Sequence, residues 1–336
     1  MMENKRRKQV GILFLVALLV CIVAGCGGWN RVYIEKKDGA IRKQKVTLIA
    51  KSTESAFWKS VFAGAGAAST EYNMELKCIG PDNEEDYITQ NRMIEEAVAD
   101  GTDVIVFSAI DYEGNAEEID RAAKEGVKIV VIDSDVKSKE VSCRIGTDNY
   151  EAGCLAGKAA LDMDEEEINI GIVNFDATTE NGQSREKGFR DTVGKDKRAV
   201  IVDTINVNST IDSAKEEAEK LLERIPEINV LVTFNEWTSL GVGYAVKEAG
   251  LADSVRVVAF DSNVVSVDML ETGEVDALIV QNPYAMGYLG VENAYRLLGG
   301  HDLDEREVNT STHLVTKENM YSEESQRMLF SFDEIR

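Results

Sequence analysis

From residue 46 onward the chain alternates continuous apolar runs with amphipathic stretches. The apolar runs predict strands at Val46–Ala50, Met74–Ile79, Val104–Phe107 and Val127–Ile132, with a shorter one at Val141–Ile145. Runs that are apolar at every position, rather than at every second one, suit parallel strands covered on both faces. Between them, helices are predicted at Phe57–Tyr72, Asp86–Ala99 and Asn115–Lys124, the last stopped by Gly126. The alternation restarts after Gly146. Strands are predicted at Ile168–Val173, Val200–Ile205, Val230–Phe234, Val255–Phe260 and Leu278–Val280, and helices at Tyr150–Leu161, Gln183–Val193, Ser213–Arg224, Ser239–Ala249 and Tyr284–Leu298. In Ser213–Arg224 the residues Ala214, Ala218, Leu221 and Leu222 share one face. Two such βαβ series predict an α/β protein of two doubly wound, Rossmann-like lobes with parallel sheets. No Pro-rich or Gly/Ser-rich linker separates the series, so short crossings rather than a flexible string join the lobes.

Composition narrows the function. Across 336 residues, 37 Lys and Arg stand against 60 Asp and Glu, a net charge of −23. A surface that acidic does not wrap a phosphate backbone, so nucleic acid is excluded as a partner. Hydrophobic residues at 44% supply cores and exclude bulk disorder. Two histidines and five cysteines leave little for a metal site, and none is expected. Cys78 and Cys143 in predicted strands and Cys154 in a predicted helix read as buried small apolar residues rather than a disulfide framework.

The first 25 residues have the parts of an export signal. Lys5, Arg6, Arg7 and Lys8 precede Val10–Val23, which is 14 residues without a charged side chain. A spanning helix needs about 20. Val23-Ala24-Gly25-Cys26 resembles the lipobox of bacterial lipoproteins, which implies removal of residues 1–25 and lipidation of Cys26. Cys21 follows bulky Val20 and is a poor alternative. Residues 26–45 then form a tether with six basic and two acidic side chains, able to rest on anionic head groups or to remain a solvated linker. The expected location is extracytoplasmic, with the lipid anchoring the chain to the cell membrane.

Catalytic signatures are mostly missing. Gly64-Ala65-Gly66 approaches a dinucleotide fingerprint but falls inside a helix and lacks the third glycine, so small-residue packing is the better reading. Gly153–Lys158 is one residue short of a phosphate-binding loop and lacks its Ser or Thr. No Gly-x-Ser-x-Gly elbow occurs, and both histidines lie near the C-terminal end. The acidic run Asp162–Glu167 reads as a solvated helix end. An enzyme is not expected, nor is a cofactor.

Binding chemistry gathers instead at the predicted strand ends, where ligands sit in open α/β sheets. The strand ends lead into Asp133-Ser134, Asn235-Glu236-Trp237, Asp261-Ser262-Asn263 and Gln281-Asn282-Pro283. Ser55-Ala56-Phe57-Trp58 brings two aromatics to the mouth of the first helix, and Arg185 lies at a helix start. Planar Asp, Asn, Gln and Arg side chains each engage two neighbouring hydroxyls, and aromatic rings cover the C–H face of a sugar.

With these residues the sequence resembles the type I periplasmic binding proteins, nearest to the ribose/galactose-type sugar-binding lipoproteins of ABC transporters. The resemblance spans about residues 46–315 and is carried by Ser55-Ala56-Phe57-Trp58, Ile132-Asp133, Gly146-Thr147-Asp148-Asn149, Arg185 with Gly188-Phe189, Phe234-Asn235, Ala259-Phe260-Asp261 and Gln281-Asn282-Pro283. It implies Phe57 and Trp58 as stacking groups and Ser55 as a nearby polar contact. It further implies Asp133, Arg185, Asn235, Asp261 and Gln281 as hydroxyl-binding groups, with Asp261 and Arg185 facing each other as a charge pair. Ribose binders have Asn at Ser55, Arg at Ser134, the remaining candidate site position, and an aromatic near Ser209, departures that point to a sugar or polyol other than ribose. The family's three crossings imply an N-terminal lobe of 46–148 plus 283–310 and a C-terminal lobe of 149–281 plus 312–336. The expected function is capture of a sugar-like ligand by a monomer, for delivery to an ABC permease. The alternative is a binding protein that feeds a membrane histidine kinase or chemoreceptor.

Overall fold

A computed structural model describes residues 42–330, apart from residues 176, 302 and 304. The expected export signal, Cys26 and nearly all of the expected tether lie outside the described residues. Twelve strands and ten helices are described, in two six-stranded sheets. The first sheet has the order β2-β1-β3-β4-β5-β11, from β1 (Lys45–Ile49), β2 (Glu75–Ile79), β3 (Val104–Phe107), β4 (Lys128–Ile132), β5 (Val141–Gly146) and β11 (Glu307–Asn309). The second has the order β7-β6-β8-β9-β10-β12, from β6 (Ile168–Phe175), β7 (Ala199–Val207), β8 (Val230–Val232), β9 (Arg256–Phe260), β10 (Ala277–Val280) and β12 (His313–Thr316). Every pairing is parallel except β10 with β12.

The apolar runs work as two-faced strands. In β3, Val104 and Val106 pack into one core layer of the first lobe, while Ile105 and Phe107 pack into the layer on the other face. Strand β9 divides in the same way, Val258 and Phe260 against Val257 and Ala259. Burial on both faces is why these strands carry no polar alternation. The first lobe's sheet is covered by α1 (Ala56–Glu71), α2 (Tyr87–Ala99), α3 (Ala116–Lys124) and α9 (Pro283–Leu298). The second is covered by α4 (Asn149–Leu161), α5 (Glu180–Val193), α6 (Ile211–Arg224), α7 (Glu236–Ala249), α8 (Val264–Thr272) and α10 (Glu323–Leu329).

The chain passes between the sheets after β5, after β10 and between β11 and β12. Each passage is two to three residues of non-helical, non-strand backbone. Four elements escape the sequence reading: β11, β12, α8 and α10. The two strands are short edge strands, of burial pattern half-buried or exposed at most positions, so no apolar run announces them. Helix α8 opens Val-Val-Ser-Val, a β-branched start that reads as strand, and its capping box between Asn263 and Ser266 is the signal that overrides it. Cys143 and Cys154 are buried as expected, but Cys78 is only half-buried, on the outer strand β2.

Candidate functional site

The C-terminal ends of both sheets face one cavity with about 20 Å³ of free space, room for about one water molecule. Its wall holds Ser55, Phe57, Trp58, Asp133, Arg185, Asn235, Asp261 and Gln281, which are eight of the nine candidates from the sequence. Ser134 does not line it. That side chain is buried behind the wall, its backbone amide donating to the Ser108 hydroxyl. The wall also includes Lys51, Glu84, Phe175, Asn181, Glu236 and Trp237.

Arg185 organises the floor. It lies on α5, is 1% exposed, and spends its guanidinium on three acceptors. Nε donates to Asn149 Oδ1 at 2.9 Å, Nη1 to the Phe234 carbonyl at 2.7 Å and Nη2 to Gln281 Oε1 at 2.7 Å. The guanidinium carbon stands 4.9 Å from the centre of the Phe260 ring. Gln281 then donates from Nε2 to Asp261 Oδ1 at 2.7 Å, and its Oε1 also accepts from the Thr147 hydroxyl. The expected direct pairing of Asp261 with Arg185 is therefore bridged by Gln281. The carboxylate within ion-pair range of the guanidinium is Asp133, at 4.0 Å.

Asp133 and Asp261 follow corresponding strands, β4 and β9, and both adopt positive φ, 57° and 67°. Aspartate is among the few non-glycine residues that tolerate this region, and the conformation turns each side chain from its strand end toward the cavity. Burial pushes the Asp261 carboxyl up to about 7, against the opposing pull of the Arg185 guanidinium and the Gln281 amide. An unfolded chain ionises the same group near pH 4. Below that pH both states hold the proton. As pH rises through 7 the unfolded chain releases it first, so stability falls across that window. Asp261→Asn is expected to melt with wild type near pH 4 and above it at pH 8. Thermal denaturation of the ligand-free protein at the two values checks this, and a variant no more stable than wild type at pH 8 would refute it.

The aromatic wall comes from both lobes. Phe57 and Trp58 meet edge to face, with ring centres 5.1 Å apart. The Trp58 indole donates to Glu84 Oε1 at 2.7 Å. Ser55 serves as the N-cap of α1, accepting from the Trp58 amide, and Asn235 does the same for α7 through Thr238. Across the cleft, the Lys51 ammonium sits 5.3 Å from the centre of the Phe175 ring and is 2% exposed.

Side chains reach between the lobes around this cavity. Asn181 donates to both Asp133 carboxylate oxygens, at 3.2 and 3.4 Å. Ser209 donates from its hydroxyl to Glu84 and from its amide to Glu85, both at 3.0 Å. Glu236 accepts from the Ala56 and Phe57 amides at 3.3 and 3.1 Å.

The sequence profile of the periplasmic binding protein domain matches residues 46–302. The chain belongs to that family. Among its relatives is a D-ribose/D-allose-binding protein of Pseudomonas aeruginosa, 27% identical over 285 residues, covering 82% of this chain and 89% of that protein. A solved carbohydrate-transporter solute-binding protein of Agrobacterium radiobacter, in complex with D-arabinose, superposes with a TM-score of 0.83 at 29% identity, covering 86% of this chain and all of that one. A sugar transporter structure from Clostridium phytofermentans is 31% identical, with a TM-score of 0.75, over 82% of this chain and 100% of its own. As a periplasmic binding protein, the molecule belongs among substrate-binding transport proteins rather than enzymes.

Within this family frame, the wall residues that went unassigned have identifiable signals. Lys51 stands two residues past the end of β1, a strand end as informative as the others, but a lysine there reads as solvated. Asn181 enters because α5 starts at Glu180, three residues before its expected start. Phe175 enters because β6 runs two residues past Val173. Glu236 and Trp237 stood in the strand-end cluster without a role. Glu84 lies in the loop before α2, where no periodicity marks it.

Proposed function

We propose that this periplasmic binding protein captures a sugar or sugar-like polyol between its lobes outside the cytoplasmic membrane and delivers it to an ABC importer. One observation carries the reading: a cavity at the sheet ends lined from both lobes by planar hydrogen-bonding groups and by the rings of Phe57, Trp58 and Phe175. Rings cover C–H faces while Asp, Asn, Gln and Arg pair with hydroxyls. The named ligands of the relatives, D-ribose, D-allose and D-arabinose, have that chemistry. Ser55, Phe57, Trp58, Asp133, Arg185, Asn235, Asp261 and Gln281 are the proposed ligand contacts, joined by Lys51. The two bodies that close on the ligand are 46–148 plus 283–310 and 149–281 plus 312–336. Cys26, lipidated after removal of residues 1–25, holds the protein at the membrane.

A thermal-shift panel of D-ribose, D-allose, D-arabinose, D-galactose and simple polyols tests the capture step. A ligand at 100 times its Kd stabilises the folded state by about 2.7 kcal/mol, so at least one sugar is expected to raise the melting temperature in a saturable way. A panel without any such shift refutes the sugar reading. Mass spectrometry of the protein from a bacterial membrane is expected to find a diacylglyceryl-modified Cys26 as the first residue, and an unmodified Cys26 with the leader attached refutes the anchor.

A further inference from the structure

We propose that Glu236 is the latch of the closed state, a positioning residue in the second lobe that locks the entrance of α1 in the first. This rests on the proposed reading that the lobes close around a ligand. Glu236 is the first residue of α7 and is 6% exposed. Both of its oxygens are committed. Oε1 accepts from the Ala56 amide, and Oε2 from the Phe57 amide at 3.1 Å. These amides belong to the first turn of α1, whose N-cap Ser55 already serves the Trp58 amide. Glu236 thus supplies acceptors that α1 does not find in its own lobe.

The carboxylate is braced from a third helix start. Asn263, the N-cap of α8, donates from Nδ2 to Glu236 Oε1 at 2.9 Å. The N-terminal ends of α1, α7 and α8 therefore converge on one carboxylate, and their aligned dipoles favour a negative charge there. Burial of the group pushes its carboxyl pKa up, while the Phe57 amide, Asn263, the Ala56 amide and Ser55 pull it down. Among the other described contacts across the cleft, Asn181 with Asp133 and the Ser209 hydroxyl with Glu84 join side chains, the Ser209 amide meets Glu85, and the Tyr112 amide donates to the Thr178 carbonyl between two loops. Glu236 alone among the described contacts holds the backbone immediately before Phe57 and Trp58. Its engagement sets where those rings stand relative to Asp261 and Arg185, so cleft closure and ring placement are one event. With the lobes apart, the same carboxylate is solvated and the α1 amides turn to water.

The test compares wild type with Glu236→Ala, Glu236→Asp and Glu236→Gln. Aspartate keeps the charge at the start of α7 but is one methylene too short to reach Ala56 and Phe57. Interlobe distance distributions are read by pulsed electron spin resonance, with labels on exposed Lys124 and Glu223, in the ligand-free protein and with saturating D-ribose, D-allose or D-arabinose. Wild type is expected to populate a closed distance that all three variants lose or deplete, and release of a bound sugar is expected to quicken by at least about tenfold, the loss of one charged hydrogen bond. Circular dichroism melting separates this from misfolding, because Glu236→Asp is expected to melt with wild type. Identical distance distributions in wild type and the aspartate variant overturn the latch. A wild type that binds none of the three sugars but still shows the shift in closed population keeps the latch and counts against the sugar reading.

Discussion

Replacing Arg185 with alanine is expected to weaken sugar binding by at least about a hundredfold and to lower the melting temperature as well. The side chain holds Asn149, the Phe234 carbonyl and Gln281 simultaneously, in a site 1% exposed. Its removal takes a donor from three buried acceptors, of which Gln281 Oε1 keeps only the Thr147 hydroxyl, and leaves Asp133 without the cation 4.0 Å away. Breaking a buried charged pair by removing one partner costs about 3–5 kcal/mol, because the remaining groups stay desolvated and unpaired. Part of that loss falls on the fold of the second lobe and part on the ligand. The sequence, which offers Arg185 only as a hydroxyl-binding group, predicts a loss of affinity without unfolding of the protein. The bonds to Asn149 and Phe234 change that expectation, since both lie within the second lobe and exist with or without a ligand. Arg185→Lys is expected to recover little, because an ammonium is a point charge that cannot reach three acceptors set around a planar fork. Calorimetric titration together with thermal melting decides the matter. An alanine variant with wild-type affinity places the binding site elsewhere, and one with wild-type melting removes the structural half of the role.

The fold was legible because its signals are long and redundant. A four-residue run such as Val104–Phe107 or Ile129–Ile132, buried on both faces, has one physical explanation in a chain of this length. The rhythm of such runs with amphipathic helices then fixes the class. What the pattern does not carry is the edge of each sheet. Strand β11 is Glu-Val-Asn, chosen by pairing with β5 rather than by any property of its own three residues. The site divides along the same line. Asp133, Asp261 and Gln281 were visible because the strand ends that present them were visible. Asn181 and Phe175 were lost to boundary shifts of two or three residues, the least certain part of any such reading. The bridge of Gln281 between Arg185 and Asp261 is a matter of side-chain reach across the end of β10, which no spacing encodes. Glycines were the opposite case: small-residue packing was legible in Gly64-Ala65-Gly66 and holds at Gly64, which makes room for the Tyr284 carbonyl, and only the partner helix was missing.

That packing yields the second large expected effect. Gly153→Ala is expected to cost stability and to weaken ligand binding together, although residue 153 does not line the cavity. Helices α4 and α5 cross so closely that a Cβ on Gly153 would drive into the Arg185 carbonyl, and one on Gly188 into the Tyr150 carbonyl. The first lobe repeats the device: a Cβ on Gly64 would meet the Tyr284 carbonyl, and one on Gly287 the Val61 carbonyl, where α1 crosses α9. Backbone cannot yield as a flexible side-chain tip does, so the methyl must push α5 away from α4. Overpacking of this kind costs about 1–3 kcal/mol, occasionally more. The residue displaced is Arg185 itself, whose three hydrogen bonds of 2.7–2.9 Å leave little slack before they lengthen past useful geometry. A methyl group outside the cavity should therefore act on the ligand through the guanidinium, lowering affinity by about tenfold or more. Gly66→Ala is the control. It lies within α1 with nothing inside 4 Å of an added Cβ, and alanine is favoured over glycine in a helix interior by about 0.5–1 kcal/mol. That variant is expected to bind as wild type and to melt at the same temperature or higher. If Gly153→Ala matched it in both affinity and melting, the two helices would have to part without moving Arg185, and the crossing would not be what holds the guanidinium in place.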